Sequence, residues 1–261
     1  MKIKTYVSFL AIMACTLLIA GESAAKSGCA EPPKSSKPVE LLLVTGGHPY
    51  EPSEFFAMFS ALPTVHYQHV YMEEGKPIAF PPGGLGQYDV VLFYDQSLKG
   101  ITPEWRSLFD RGRGIVFLHH ALGSFPDSPE YRAIVGGRYK YPSERNPDLP
   151  HSSYHMNERQ HFTIVDRSHP ITCAIADFDM LDEAYDGLEI DPGSHILMKS
   201  DFPKRTPAAA WISSYAQKRV AYIQPGHGSA FLPPDHGPSS YQNESFKRLL
   251  ERAILWSAGR I

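Results

Sequence analysis

Hydrophobic residues along the chain occur in two patterns, and each pattern predicts a different kind of element. Four runs are almost continuously apolar, which is typical of strands buried on both faces of a parallel sheet. These runs are residues 39–45, 89–94, 113–118 and 220–224. Shorter or alternating runs predict further strands at residues 64–71, 160–166, 196–199 and 208–212. The chain therefore contains enough strands for one large sheet.

Apolar residues at helical spacing fall between these strands and predict the helices. They indicate helices over residues 51–62, 102–111, 128–135 and 243–258. In the last of these, Phe246, Leu249, Leu250 and Ala253 share one face of the helix. Strands that alternate with helices predict an α/β fold, in which helices cover both faces of a mostly parallel central sheet as a three-layer sandwich.

Two stretches lack either pattern. Residues 75–86 are rich in Pro and Gly and predict a loop. Residues 136–161 are dense in Pro, Arg, Tyr and His without periodicity, so we expect a long irregular insertion that acts as a lid or a mobile loop. Apart from these two stretches, predicted strands and helices follow one another without a break. We therefore expect residues 39–261 to form one domain.

The first residues have the features of a secretory signal. Two lysines precede an apolar stretch, and small residues follow at positions 21–25, so residues 1–25 predict a cleaved signal peptide that is too short and wrongly flanked for a membrane span. Residues 26–38 then form a linker. A secreted or periplasmic protein is expected, with lipidation at Cys15 as the alternative because the residues before it resemble a lipobox.

The net charge bears on the expected partners, and the cysteine content bears on a possible disulfide. The net charge of −3 over 261 residues favours neither nucleic acid nor an anionic membrane as a partner. Once the signal peptide is removed, Cys29 and Cys173 remain, and in an oxidising compartment they could form one bridge. Two cysteines without motif spacing leave that pairing open, and the composition indicates no oligomeric state.

Histidines follow three of the predicted strands, next to a glycine or another small residue. They are His48, His119 and His227. Ligands of open parallel sheets bind beyond the carboxyl ends of the strands, so these imidazoles are expected to converge on one crevice. His120 directly follows His119, and because neighbouring strand residues point to opposite faces, only one of the two is expected to enter the crevice.

An acidic pair, Asp182 and Glu183, lies in an apolar segment beside Tyr185. A carboxylate in apolar surroundings has to be paired or functional, although a solvated turn or a helix cap is the alternative. Beside a histidine it can support acid/base chemistry on a hydroxyl or carbonyl, or bind a divalent metal. The spacing of two histidines on one helix that is typical of zinc proteases is absent, so we predict no metal site while leaving a divalent ion open.

Covalent catalysis is disfavoured at the junction after residues 113–118. Hydrolases and amidotransferases expose a serine or cysteine at a sharp turn between a strand and a helix. Here that turn carries His119, and Ser124 lies beyond it. Acyl transfer is therefore not expected.

Several motifs together resemble the ThuA-like (trehalose utilisation) family over roughly residues 39–260. They are the strand before His119-His120-Ala121, the turn His169-Pro170-Ile171-Thr172, the segment with Asp182, Glu183 and Tyr185, the strand leading to Gly226-His227, and the C-terminal Ile254-Leu255-Trp256-Ser257-Ala258-Gly259. The resemblance implies a flavodoxin-like, class I glutamine amidotransferase-like fold without the catalytic cysteine. It also implies a role in carbohydrate utilisation, including oxidised disaccharides.

Residue roles follow from this resemblance. His119 occupies the former nucleophile position, and His120 becomes a packing or rim residue. The expected catalytic residues are His119, Glu183 and His227. The expected substrate-binding residues are His48, Tyr94, His120, Asp182 and Tyr185. After the glycines at 136–137 the family tends to have a phenylalanine and a histidine, whereas this chain has Tyr139-Lys140-Tyr141 and leaves the histidine to His151 or His155.

The resulting hypothesis is non-covalent acid/base chemistry on a keto-sugar or disaccharide derivative. His119 and Glu183 would exchange protons with a hydroxyl or with the carbon beside a carbonyl, while His227 and His48 bind or polarise oxygen. The reaction would be that of a hydrolase or an isomerase and not of a glutamine amidotransferase. A non-catalytic carbohydrate-binding protein and a metal-dependent sugar hydrolase are the alternatives.

Overall fold

A computed structural model describes residues 29, 37–73, 80, 84–111, 114–202, 206–215, 218–228 and 239–261. The predicted signal peptide, most of the predicted linker and much of the predicted loop at 75–86 lie outside these residues. Within the part that is described, no helix has the length and apolar character needed to cross a membrane.

The elements follow the predicted alternation closely in the first half of the chain. The helices are α1 (Pro52–Ser60), α2 (Pro103–Arg111), α3 (Pro129–Val135) and α4 (Glu244–Ser257). The first strands are β1 (Val39–Gly46), β2 (Val65–Tyr71), β3 (Val90–Asp95), β4 (Gly114–Leu118) and β5 (Gly137–Arg138). The later strands are β6 (Ser153–Ile164), β7 (Phe178–Asp186), β8 (Glu189–Ile190), β9 (His195–Ser200), β10 (Ala208–Ile212) and β11 (Arg219–Ile223).

One sheet of nine strands, in the order β2-β1-β3-β4-β11-β10-β9-β6-β7, organises the described residues. The strands from β2 to β11 in this order are parallel, and their arrangement is that of flavodoxin-like folds. Beyond β11 the neighbours are antiparallel, down to the hairpin of β6 and β7 at the edge. The predicted α/β fold is confirmed, with an antiparallel extension of the parallel part.

Both faces of the sheet are buried because alternate residues of each strand pack against different helices. Leu41 and Leu43 of β1 belong to the core under α1 and α4. Leu42 and Val44 of the same strand belong to the core under α2 and α3. This packing explains why the central strands have continuously apolar sequences, and it gives the three layers that the sequence predicts.

The prediction of an irregular insertion over residues 136–161 is wrong for the second half of that stretch. Residues 153–164 form β6, the longest strand in the described part of the chain, which pairs with β7 and β9. Its outward positions are polar and its register shifts between His155 and Glu158, so the sequence lacks a clean alternation. Histidines 155 and 161 therefore lie on a strand and not on a loop, whereas His151 precedes it.

A disulfide joins Cys29 to Cys173 across 144 residues of sequence and ties the N-terminal arm to the domain. Because such a link restricts the unfolded chain, Cys173→Ser should lower the free energy of unfolding by about 2–4 kcal/mol. Urea unfolding with and without reductant measures the effect. Reductant should destabilise the wild type and leave the variant unchanged, and a wild type insensitive to reductant would contradict the prediction.

Candidate active site

The turn after β4 has the strained backbone of a nucleophile elbow. His119 is fully buried and has a φ of 52°, a left-handed value that residues with a side chain rarely adopt. Tyr222 on the neighbouring strand β11 donates a hydrogen bond from its hydroxyl to the His119 carbonyl at 3.0 Å. Strained residues of this kind concentrate at functional sites, because the surrounding structure has to hold them in place.

The two histidines at this elbow exchange the positions expected from the sequence. His120, expected to be a packing or rim residue and also to bind substrate, lies on the wall of a cavity that is described below. His119 lies behind that wall, with its ring stacked on Tyr185 at 4.8 Å between ring centres. The left-handed backbone at His119 turns the chain sharply, so the alternation of a strand no longer decides which side chain faces the cavity.

Three buried side chains meet at the deep end of this cavity, and we call His119, Glu183 and His227 the His–Glu–His cluster. The distance from His119 Nε2 to Glu183 Oε2 is 3.2 Å, and that from His227 Nε2 to the same oxygen is 3.1 Å. The Tyr185 hydroxyl lies 3.1 Å from His119 Nε2. The predicted catalytic residues therefore lie in direct contact, although their roles stay predictions.

Strand β7 reaches the elbow because it packs beside the turn that follows β11. Gln224 donates from its side-chain amide to the Glu183 carbonyl at 2.8 Å. Asp182 accepts hydrogen bonds from the backbone N–H groups of Gly226 at 2.6 Å and His227 at 3.1 Å. Asp182 is completely buried, so the solvated turn that the sequence left open is excluded. Its carboxylate positions the His227 backbone and does not face the cavity.

His48 joins this site from β1, although β3 separates β1 from β4 in the sheet. Its ring stacks on that of His120 at 4.4 Å and lies 5.6 Å from that of His227. The three strand-end histidines thus converge, as the sequence predicts, although only β4 and β11 are neighbours in the sheet and β1 is adjacent to neither. The carboxyl ends of all parallel strands lie at one edge of the sheet, so the three histidines can meet there even though β1 is not next to the other two strands.

Tyr94 has a supporting position that differs from the predicted contact with substrate. It is buried, its hydroxyl donates to the Gly226 carbonyl at 3.0 Å, and it lies 2.6 Å from the Tyr241 hydroxyl. Its ring packs against that of His120 at 4.2 Å. As placed, Tyr94 supports the histidines and the turn after β11, and it does not line the cavity.

A cavity of about 750 Å³ opens above the cluster. Its deep part is polar and is formed by His48, His120, Glu183, Tyr185 and His227. Its outer wall comes from the segment between β5 and β6 and the start of β6, and it is lined by Tyr139, Tyr141, His151, Tyr154 and Met156. The first half of the predicted insertion therefore forms one wall of the cavity.

Hydrogen bonds hold this wall to the elbow. Tyr141 donates to the Gly123 carbonyl at 3.1 Å and accepts from the Gln96 side chain at 2.9 Å. His151, rather than His155, contributes to the cavity, because the His155 ring packs against Phe202 at 5.1 Å. Tyr139, Tyr141 and Gln96 were missed as site residues, although two tyrosines within four residues of the glycines at 136–137 were a usable signal.

Burial changes the protonation of the cluster. It lowers the pKa of His119 to about 4 and that of His227 to about 3, so both imidazoles are neutral at neutral pH. It raises the pKa of Glu183, against the opposing effect of His227. The carboxyl group therefore keeps a proton to a higher pH than in water, which suits a group that exchanges protons with a substrate.

Two buried polar groups near the cavity lack hydrogen-bond partners among the described residues. Neither ring nitrogen of His120 has a partner, and neither has Asp95 Oδ1 at the end of β3. Buried polar atoms are almost always paired, so unpaired ones require an explanation. For His120, which lines the cavity, a bound ligand is the simplest partner.

The His–Glu–His cluster also has the composition of a metal site. One ligand atom from each residue can be chosen so that all three lie within 4.8 Å of one another. Two imidazoles and a carboxylate form one of the ligand sets of catalytic zinc, with a remaining position for water or substrate. This set lacks the signature of paired histidines on one helix, because its members come from three separate strands or turns.

Comparisons with known proteins agree with this architecture. A ThuA-like protein from Parabacteroides merdae superposes with a TM-score of 0.68 at 19% identity, covering 85% of this chain and 90% of that one. A ThuA-like protein from Bacteroides uniformis gives a TM-score of 0.56 at 17% identity, covering 87% and 94%. None of the curated proteins compared with the chain matches it significantly.

The sequence itself matches the family model described as ThuA, trehalose utilisation, over residues 40–257. This range includes the elbow, β7 and the turn after β11, and so contains every member of the His–Glu–His cluster. It confirms the resemblance drawn from the motifs. The chain belongs to the ThuA family, which is associated with trehalose utilisation.

Proposed function

We propose that the chain processes a small carbohydrate, of disaccharide size or a keto-sugar derived from one, at the His–Glu–His cluster. The observation that carries this proposal is a cavity of about 750 Å³ whose walls are aromatic and whose deep end is a buried acid/base cluster. Ligand sites of about 300–1,000 Å³ with a few convergent polar groups are typical of small-molecule enzymes. Membership of the trehalose-utilisation family supports the choice of carbohydrate.

The cavity wall suits a sugar because it offers both aromatic faces and hydrogen-bonding groups. Tyr139 lies between Tyr141 and Tyr185, at 5.0 and 5.4 Å between ring centres. Sugar rings pack their C–H faces on such side chains while their hydroxyls bond to polar neighbours. His120 and Glu183 supply those polar neighbours at the deep end.

The chemistry that we propose is non-covalent. The elbow carries His119 where a serine or cysteine nucleophile would have to be, and its ring is held beneath the cavity. Glu183 lines the cavity and is the group that exchanges a proton with a sugar hydroxyl or with the carbon beside a carbonyl. His227 and His48 are placed to bind or polarise a sugar oxygen. Glu183 acts in this scheme either directly or as a ligand of a cation.

A secreted or periplasmic location is part of the same proposal. Residues 1–25 have the pattern of a cleaved signal. The Cys29–Cys173 disulfide is of the kind that persists in oxidising compartments. Fractionation of the native host with an antibody to the chain would test this, and a cytoplasmic protein with residues 1–25 intact would contradict it.

Calorimetry combined with product analysis tests the function. The wild type should bind and convert at least one member of a panel that contains trehalose, other disaccharides and their keto derivatives. Saturable binding without any product would favour the alternative of a binding protein. No binding to any member would contradict the proposal.

His120→Ala should weaken carbohydrate binding by about tenfold, because it removes a ring that lines the cavity and whose buried nitrogens have no hydrogen-bond partner among the described residues. His66→Ala is the matched control, since His66 is exposed and pairs with Glu40 away from the cavity. Dissociation constants from calorimetry check the effect. Equal affinities of the wild type and both variants would exclude His120 as a ligand-binding residue.

A further inference from the structure

We propose that the His–Glu–His cluster binds one divalent transition-metal cation of the zinc class, with a coordination position open to the carbohydrate cavity. The inference depends on the proposed function only for the identity of the molecule that reaches the open position. Binding of the cation depends on the three side chains alone.

The distances between the side chains fit such an ion. Two ligand atoms bound at about 2.0–2.1 Å to one tetrahedral zinc ion lie about 3.3 Å apart. The Glu183 oxygen lies 3.2 Å from His119 Nε2 and 3.1 Å from His227 Nε2. Two of the three distances between ligand atoms therefore fit one ion, and the ligand atoms of all three residues lie within 4.8 Å of one another.

The hydrogen bond between His119 Nδ1 and Gln224 leaves Nε2 as the ring nitrogen that can bind a metal ion. His119 Nδ1 lies 2.6 Å from the Gln224 carbonyl oxygen, which can only accept, so Nδ1 carries the proton. Nε2 then has its lone pair available as an acceptor, and the Glu183 carboxylate and the Tyr185 hydroxyl both lie beside it. Ligating histidines typically donate their second nitrogen to a carbonyl or carboxylate in this way.

The same bond creates an unfavourable contact that a cation would relieve. His119 Nε2 and a Glu183 oxygen lie 3.2 Å apart in a buried site, and both are acceptors whenever Glu183 is ionised. Two facing lone pairs repel each other unless a proton or a cation lies between them. A divalent ion satisfies both groups and His227 at once.

The ligands are also fixed by groups that do not take part in binding. Asp182 accepts hydrogen bonds from the backbone N–H groups of Gly226 and His227, and Gln224 donates one to the Glu183 carbonyl. The left-handed backbone at His119 is a local strain that a bound ion would explain. Positions held in advance in this way reduce the ordering cost of binding.

The fourth position faces the cavity, because Glu183 and His227 both line it. His120 is on the same wall, with two nitrogens that have no partner among the described residues, and His48 stacks on it at 4.4 Å. These histidines can accept or donate a hydrogen bond to a water or sugar oxygen on the ion. The cation would polarise that oxygen, which is the chemistry expected for a carbonyl-containing sugar.

Titration of chelator-treated protein with Zn²⁺, Mn²⁺, Co²⁺ and Ni²⁺, without carbohydrate, tests the proposal. We expect one ion per chain, and we expect Glu183→Gln and His119→Ala to weaken binding by at least about 100-fold. His66→Ala should bind like the wild type. Tyr185→Phe should bind equally or more tightly, because the Tyr185 hydroxyl competes for His119 Nε2.

Thermal unfolding of each variant separates loss of binding from loss of folding, and Glu183→Gln conserves the shape of the side chain. Stoichiometric binding that disappears in this variant supports the proposal. Absence of binding by the folded wild type, or binding unchanged in Glu183→Gln and His227→Ala, would overturn it. If the wild type converts sugar but binds no cation, the proposal fails and the proposed function stands, whereas cation binding without any conversion leaves the ion site standing and contradicts the proposed function.

Discussion

Glu183→Gln is expected to reduce the rate of carbohydrate conversion by about 10²–10⁴-fold, while substrate affinity changes much less. The carboxylate is 7% exposed, lines the cavity and contacts both imidazoles of the cluster. Glutamine keeps the shape and can neither accept the proton nor neutralise a cation. Steady-state kinetics should therefore show a fall in kcat with a small change in KM.

The pH dependence of the wild type gives this prediction a second test. Burial raises the pKa of Glu183, and the reactive form is the carboxylate. Conversion should consequently fall as the pH drops through this raised pKa, at a higher pH than for a carboxylate in water. The residual activity of Glu183→Gln should lack this acidic limb.

Glu40→Gln is the matched control for the kinetics. Glu40 also pairs with a histidine, His66, at 2.7 Å, but it is exposed and lies outside the cavity. Its variant should keep the wild-type rate and pH profile. A Glu183→Gln protein that converts the sugar as fast as this control would remove Glu183 from the mechanism.

Between pH 4 and pH 8, the free energy of unfolding of the wild type is expected to fall by about 2–4 kcal/mol through the titration of Asp95, and Asp95→Asn should lack this fall. Asp95 is fully buried at the end of β3, and burial raises its pKa to about 7, against the hydrogen bonds that it accepts from Ser124 and Ser97. Oδ1 has no partner among the described residues. The folded protein thus holds a proton that the unfolded chain releases near pH 4.

The direction of the effect follows from this difference in proton binding. Below about pH 4 both states are protonated, and the contribution of Asp95 is at its most favourable. As the pH rises to about 7, the unfolded chain loses the proton and the folded one keeps it, so the wild type loses stability. Asparagine does not titrate, and the variant should lack this loss.

Urea unfolding of both proteins at several pH values measures the effect. Asp166→Asn provides a control of opposite sign, because hydrogen bonds from Ser168 and His195 lower the pKa of Asp166. As the pH rises from the acid range, the wild type gains stability from the ionisation of Asp166. The Asp166→Asn variant should lack this gain. Parallel stability curves for the wild type and Asp95→Asn would show that Asp95 is ionised in the folded state.

Much of the fold could be predicted because burial on both faces leaves a clear pattern in the sequence. Strands β1, β3, β4 and β11 are continuously apolar for this reason. Strand β6 could not be predicted along its full length. Its outer face is exposed, with Tyr154 61% accessible, and its pairing with β7 and β9 comes from long-range contacts.

The members of the candidate site were predictable by residue type and position, and their geometry was not. His48, His119 and His227 end parallel strands, and the sheet topology alone brings them to one edge. The left-handed backbone at His119 decides that His120 faces the cavity, and no local pattern indicates it. Contact between Glu183 and the elbow requires β7 to pack beside the turn after β11, which depends on the tertiary fold.

Crystals of the Glu183→Gln protein soaked with the carbohydrate that binds most tightly in calorimetry test the central claim directly, because substrate should bind without being consumed. We expect the sugar between Tyr139 and Tyr141 on one side and the cluster on the other, with one oxygen at about 3 Å from residue 183 or His227. A saturating sugar bound outside this cavity, or at its mouth without contact to the cluster, would contradict the account.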